Sequence, residues 1–139
     1  MNIKEIEAFL RLNQIKPSHH RLKIYQYLVQ NKNHPSVELI YKELADDIPT
    51  LSKTTVYNTL NLFVDKGVAQ LITIDESETR YDADMSIHGH FKCKNCGKVY
   101  DFQLNFAAID MRGLQHFQVD ENHIYLKGLC YHCQMKKHN

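Results

Sequence analysis

Two Cys-x-x-Cys pairs, Cys93/Cys96 and Cys130/Cys133, contain every cysteine of this 139-residue chain. Four thiolates in two clamps suit a closed tetrahedral zinc site with Zn–S bonds of about 2.3 Å. The clamps lie far apart in sequence, so a shared ion would staple the chain's last segment to its middle. In zinc-finger peptides such an ion contributes about 10–16 kcal/mol at neutral pH. That exceeds the whole stability of a typical domain, about 5–15 kcal/mol. Two reducible disulfides or a thiol redox pair are the alternatives. Catalytic zinc is not expected, because four thiolates leave no open coordination position.

The length fits one ordinary domain or two small ones, and 43% apolar residues support packed cores. Two small cores would each be marginal, so metal or dimerisation should reinforce them. A net charge of +1 excludes a strong general polyanion binder. Residues 1–71 hold nine Lys/Arg against seven Asp/Glu, only a weak basic bias. No apolar run approaches the ~20 residues of a membrane span. The start carries Lys4, Glu5 and Glu7 in place of a signal peptide's apolar core. The reading is a cytoplasmic chain with no membrane partner, whose paired cysteines hold metal.

Apolar spacing predicts four helices in the first half. Ile3, Ile6, Phe9, Leu10 and Leu12 mark one over 3–13. Leu22, Ile24, Tyr25, Leu28 and Val29 mark a second, from Ser18 to Asn31. Ser36 caps a third, with Leu39, Ile40, Tyr41 and Leu44 inward, and Pro49 stops it. Ser52 caps a fourth over Lys53–Lys66, with Val56, Leu60 and Phe63 inward and Gly67 as its stop. Val68–Ile74 and Thr79–Asp82 then read as two strands around a turn at Asp75–Glu78. Helices followed by a hairpin make a winged helix-turn-helix, whose fourth helix enters the DNA major groove. Its outward residues would be Ser52, Lys53, Thr54, Thr55, Tyr57, Asn58, Thr59 and Asn61, short donors and acceptors suited to base edges. His19, His20, Arg21 and Lys23 are candidates for phosphate contacts.

The chain changes character after Asp82, with a linker over Ala83–Ile87. Phe91–Lys92 and Lys98–Phe102 read as strands around the first knuckle, Asn105–His116 as a helix with Phe106, Ile109 and Leu114 inward, and His123–Leu129 as a strand. The fold class is therefore α+β. A winged helix-turn-helix DNA-binding domain (residues 1–82) and a hinge (83–88) precede a small α/β dimerisation domain (89–139) with a four-cysteine zinc site. Short cores and open strand edges suggest pairing with a second copy. Asp82, His88, His90 and Asp101 form a second metal-type group of nitrogen and oxygen donors. Such donors favour Mn(II), Fe(II) or Zn(II) over Mg(II) or Ca(II).

Taken together and in order, the motifs resemble the ferric uptake regulator (Fur) superfamily over nearly the whole chain. They are His34-Pro-Ser with Ile40-Tyr41, Ser52-Lys-Thr-Thr-Val-Tyr-Asn-Thr-Leu, Arg80-Tyr-Asp, His88-Gly-His-Phe-Lys-Cys-Lys-Asn-Cys-Gly-Lys and Cys130-Tyr-His-Cys. Within it the chain is most similar to the peroxide-sensing PerR branch. The resemblance implies a structural zinc on the four cysteines and a regulatory Fe(II) or Mn(II) on His34, Asp82, His88, His90 and Asp101. Asp101 carries the pointer to that branch, because glutamate is usual there in iron-sensing members. The resemblance also implies a homodimer that binds a palindromic operator as a repressor and is not an enzyme. Hydrogen peroxide would be the signal, through Fe(II)-dependent oxidation of His34 or His88. Mn(II) would support DNA binding without that chemistry.

Lys16-Pro-Ser-His-His-Arg departs from the superfamily's usual Thr-Pro-Gln-Arg, and Gly89 stands where larger or acidic residues are common. Ala108 and Asn122 fall where some members build an additional metal site, with His116 and His123 nearby. Three competing readings are an iron- or zinc-uptake repressor on the same fold, a metallohydrolase using the His/Asp group, and a zinc-stapled interaction module. The metallohydrolase lacks a spare acidic residue as general base, and it leaves the DNA-reading helix unexplained.

Overall fold

The computed structural model describes residues 1–74, 78–85, 88–119 and 122–137; for His88, Phe106 and Lys137 it describes the backbone alone. The chain divides into two compact units, Met1–Met85 and Ser86–Asn139.

The first unit is four helices and a hairpin: α1 (Ile3–Leu12), α2 (His19–Gln30), α3 (Val37–Leu44), α4 (Lys53–Asp65), β1 (Gln70–Ile72) and β2 (Arg80–Asp82). Local chemistry sets each boundary. Asn2 and Glu5 form a capping box at α1. Ser18, Ser36 and Ser52 each accept a backbone N–H in the first turn of α2, α3 and α4. Helix α4 ends with Gly67 at φ 73°. The Gly67 and Val68 amides there donate to Val64 and Phe63 carbonyls at 3.1 and 2.9 Å, which satisfies the last turn. Helix α1 ends the same way around Gln14, a non-glycine residue at φ 62°. The buried Ile15 that follows compensates by packing into the core.

That core joins Ile6 and Leu10 of α1, Ile24, Tyr25 and Leu28 of α2, Ile40 of α3, and Val56, Leu60 and Phe63 of α4. Tyr25 meets Phe63 edge-on at 5.3 Å, and its hydroxyl donates to the Val68 carbonyl. The expected inner faces hold, with corrections. Leu12 is 82% exposed. Leu39, Tyr41 and Leu44 are only half-buried. The hairpin is shorter than expected, because Val68, Ala69 and Ile74 are buried outside the ladder. Strands β1 and β2 pair antiparallel, Leu71 opposite Tyr81. The expected turn at 75–78 lies outside the described residues except for Glu78, and the expected linker does so at 86–87.

The second unit is a three-stranded sheet of β3 (His88–Cys93), β4 (Val99–Gln103) and β5 (Tyr125–Gly128), followed by α5 (Tyr131–Lys137). The order is β4-β3-β5, with β4 antiparallel and β5 parallel to β3. The helix expected over Asn105–His116 does not form. Two short 3₁₀ turns, Phe106–Ala108 and Arg112–Leu114, take its place. Asn105 and Asp110 accept the amides of Ala107 and Arg112, local bonds that compete with a helical ladder. Ile109 is half-buried and Leu114 is 47% exposed, so these two members of the expected stripe are not packed into a core, and the Phe106 side chain lies outside the described residues. Helix α5 went unread in the sequence, since only the knuckle was recognised there. No helix among the described residues is long and apolar enough to cross a membrane.

Gly89 lies opposite Phe102. A Cβ at Gly89 would overlap the Phe102 ring, so this strand position is open only to glycine while the ring lies there. Gly89→Ala should lower the denaturation midpoint of the zinc-loaded protein by the equivalent of about 1–3 kcal/mol. Adding Phe102→Ala should remove that overlap, and a double-mutant cycle read by urea denaturation checks the coupling.

Candidate metal centres and DNA-reading face

The four cysteine sulfurs lie within 4.8 Å of one another, with Cys93, Cys130 and Cys133 buried and Cys96 exposed. Cys96 and Cys130 sulfurs are 3.9 Å apart. Zn–S bonds of 2.3 Å in a tetrahedron place sulfurs roughly 3.8 Å apart, so the cluster fits the ion. Turn geometry aims amide donors at sulfur. The Cys130 and Cys96 amides point at Cys93 Sγ from 3.4 and 3.5 Å. The Cys133 amide points at Cys130 Sγ from 3.5 Å. Gly97 at φ 77° closes the first knuckle without a Cβ penalty.

These donors bias the thiols unequally. The Cys130 and Cys96 amides pull Cys93 down to about 6. Cys133 is pulled down by the Asn95 amide group, 3.3 Å away, but its neighbours Cys130, Cys93 and Cys96 and its burial outweigh that and push it to about 11. Cys130 is lowered, first by the Cys133 amide and also by the Tyr100 hydroxyl. Asn95 and Tyr100 are supporting residues that the sequence reading missed. Asn95 lies inside the knuckle itself, which was the available signal.

The nitrogen and oxygen donors form one pair in each unit. In the first, His34 precedes Pro35 at φ 51°, a left-handed conformation that costs a non-glycine residue of order 1–3 kcal/mol. The Tyr81 amide donates to the Pro35 carbonyl at 2.9 Å and draws this loop to β2. His34 Nε2 consequently lies 3.7 Å from Asp82 Oδ2, with both side chains buried. In the second unit, strand register alone makes the pair. His90 is opposite Asp101, and its Nε2 lies 3.3 Å from Asp101 Oδ1. Metal–ligand bonds of 2.0–2.2 Å place two donors of one ion roughly 3–3.5 Å apart; the His90–Asp101 pair falls in that range, the His34–Asp82 pair lies just beyond it at 3.7 Å, and the donor chemistry of both suits a borderline divalent metal. The backbone of His88 opens β3 two residues before His90, and its side chain lies outside the described residues. Tyr125 of β5 is opposite His90 with ring centroids 5.9 Å apart, and its hydroxyl lies 3.3 Å from His123 Nδ1. Neither Tyr125 nor its link to His123 was anticipated. Ala108, Asn122, His116 and His123 form no metal-type cluster among the described residues.

On α4, Ser52, Lys53, Thr54, Tyr57 and Asn58 are exposed, and Thr55 and Asn61 are half-buried. Thr59, expected to face outward, is buried at 6% exposure, because it shares the inner stripe with Val56 and Phe63. Ser52 Oγ caps the Thr55 amide and lies 2.9 Å from the Thr55 hydroxyl. Arg21 is half-buried, and its guanidinium donates to the Lys16 carbonyl at 2.9 Å. His20 Nε2 lies 2.9 Å from the Thr50 hydroxyl, just before α4.

A winged-helix unit followed by a sheet with a four-cysteine knuckle defines a class of metal-carrying transcription regulators. The model of the "Ferric uptake regulator family" matches residues 12–133, and the chain belongs to that family. It is 34% identical over 137 residues to the peroxide-responsive repressor PerR of Staphylococcus aureus, covering 96% of this chain and 93% of that protein. The ferric uptake regulator of Pseudomonas aeruginosa, solved with manganese, is 26% identical at a TM-score of 0.71, covering 90% and 97% of the two chains. PerR of Streptococcus pyogenes, solved in a study of peroxide sensing and gene regulation, is 29% identical at a TM-score of 0.54, covering 95% and 92%. Members of this family are transcriptional regulators and not enzymes.

Loading the metal-free chain with Zn(II) at neutral pH should release protons, because Cys133 enters as a thiol while Cys93 is already mainly thiolate. Calorimetric enthalpies should therefore scale with buffer ionisation enthalpy, and buffer-independent enthalpies would contradict this protonation pattern. Cys93→Ser should weaken folding whichever other metal is present, read by thermal denaturation.

Proposed function

We propose that this family member is a cytoplasmic, peroxide-responsive repressor that grips a palindromic operator as a homodimer. One Fe(II) or Mn(II) would take His34 and Asp82 from the first unit and His88, His90 and Asp101 from the second. The observation that carries this reading is the His90–Asp101 pair across β3 and β4. It supplies an aspartate where the family resemblance associates glutamate with iron sensing. The similarity to named PerR proteins supports the same branch.

The residues divide the work by chemistry. Asp82 and Asp101 supply the negative charge that a divalent cation needs, and the histidines supply neutral nitrogen donors. Donors drawn from both units would tie the DNA-reading unit to the sheet unit. Metal occupancy then selects among shapes by its differential affinity for them. Helix α4 would present Ser52, Lys53, Thr54, Thr55, Tyr57, Asn58 and Asn61 to the duplex, with Arg21 at the backbone. Bound Fe(II) would supply the electrons by which hydrogen peroxide becomes an oxidant of His34 or His88. In the second unit Leu126, Tyr131 and Phe117 are 50%, 71% and 68% exposed, apolar surface of the kind a second copy would cover.

His88→Ala should leave a folded, zinc-loaded dimer whose Mn(II)-dependent duplex affinity falls at least about tenfold. Sedimentation and fluorescence anisotropy measure the two properties, and normal metal-dependent binding would remove His88 from the site. Peroxide added to Fe(II)-loaded protein should abolish operator binding and add one oxygen to a peptide carrying His34 or His88. Retained binding with unchanged peptide masses would favour an iron-uptake repressor instead. Mn(II)-loaded protein should resist the same treatment.

A further inference from the structure

Lys53, the first residue of α4, is already engaged. Its ammonium lies 2.7 Å from Glu38 Oε2 on α3 and 5.8 Å over the Tyr41 ring. Both partners remain solvent-accessible, at 56% and 66% exposure. The Glu38 carboxylate raises the Lys53 pKa by hydrogen bonding and charge, so the cation persists across the physiological range. An open cleft of about 450 Å³ beside the pair, lined in part by Tyr41, Lys42 and Glu78, leaves the ammonium room to swing away. Lys53 is also four residues from the exposed Tyr57 and so lies on the same stripe of α4.

A carboxylate oxygen and a phosphate oxygen make the same kind of charge-assisted bond to an ammonium. An ammonium has three donors, so a phosphate arriving at Lys53 either replaces Glu38 or joins it. Duplex binding through Lys53 must either break the pair or carry the Glu38 charge toward the phosphates, and both oppose binding on any sequence. Non-specific binding feels this most, because backbone electrostatics supply essentially all of it. We propose that Glu38 acts as an internal phosphate mimic that withholds Lys53 from non-specific duplex and thereby sets the balance between backbone and base contacts. This rests on α4 being the DNA-reading helix.

The test uses the zinc- and Mn(II)-loaded full chain and a fluorescent duplex of mixed sequence, titrated over a range of salt. Glu38→Gln should bind roughly three- to tenfold more tightly at low salt, and its log K against log [salt] slope should steepen by about 0.9, one further phosphate. Glu43→Gln makes the same change in net charge from an exposed position of the same helix, and it should leave the slope unchanged. Glu38→Gln combined with Lys53→Gln should match Lys53→Gln alone. An unchanged slope in Glu38→Gln, or an equal steepening in Glu43→Gln, would overturn the proposal. A wild-type chain without salt-dependent duplex binding would instead overturn the reading of α4 on which it rests.

Discussion

The four-sulfur cluster holds the second unit in register. Strand β5 runs parallel to β3, and parallel neighbours need a crossover that is usually a helix. Here the chain from β3 to β5 first forms β4 and then, among its described residues, only 3₁₀ turns. Little local structure in it can fix where β5 lands. The knuckles can. Cys93 is opposite Gly128, two residues before Cys130, and the Lys94 amide donates to the Gly128 carbonyl at 2.7 Å. With that end pinned, His90 falls opposite Tyr125 on one side and Asp101 on the other. A slip of one residue would turn each of these side chains to the opposite face of the sheet. The sulfur site thus positions nitrogen and oxygen donors that it does not touch.

Those parts of the fold that local chemistry decides were legible in the sequence. Three serine caps, a glycine stop and apolar stripes located α2, α4 and the start of α3 to within a residue or two, while α3 ends at Leu44, short of the stop expected at Pro49. The cysteine spacing disclosed the knuckle cluster. His90 and Asp101 could be placed together because the first knuckle closes a hairpin between them. His34 was different. Spacing alone left it a loop residue, and the family resemblance supplied its role. Its place beside Asp82 depends on a left-handed backbone and on the bond from Tyr81 to Pro35, neither of which leaves a periodic signature.

Each misreading has a physical cause of its own. Apolar spacing over 105–116 imitates a helix, yet Asn105 and Asp110 take up local amides and Gly113 weakens propagation. An amphipathic stripe also needs a surface to bury it, and among the described residues the second unit's core cluster is small, three cysteines with Phe91 and Tyr100 against them. Thr59 was assigned outward because its hydroxyl suits base contacts. Its position on the helix, three after Val56 and four before Phe63, decided otherwise.

The two kinds of metal donor differ in how firmly they can hold an ion. Four thiolates around one ion leave no open position through which ligands exchange, although Cys96 itself is exposed. Soft thiolates also select zinc over iron or manganese. The His90–Asp101 pair likewise joins a buried group to an exposed one, its carboxylate 36% exposed, but its donors are nitrogen and oxygen. Imidazole and carboxylate donors suit Mn(II) and Fe(II) as well as Zn(II), so donor type is what separates the two sites. A chain that must keep its shape and still respond to metal needs both kinds of donor, and here the two lie around one small sheet.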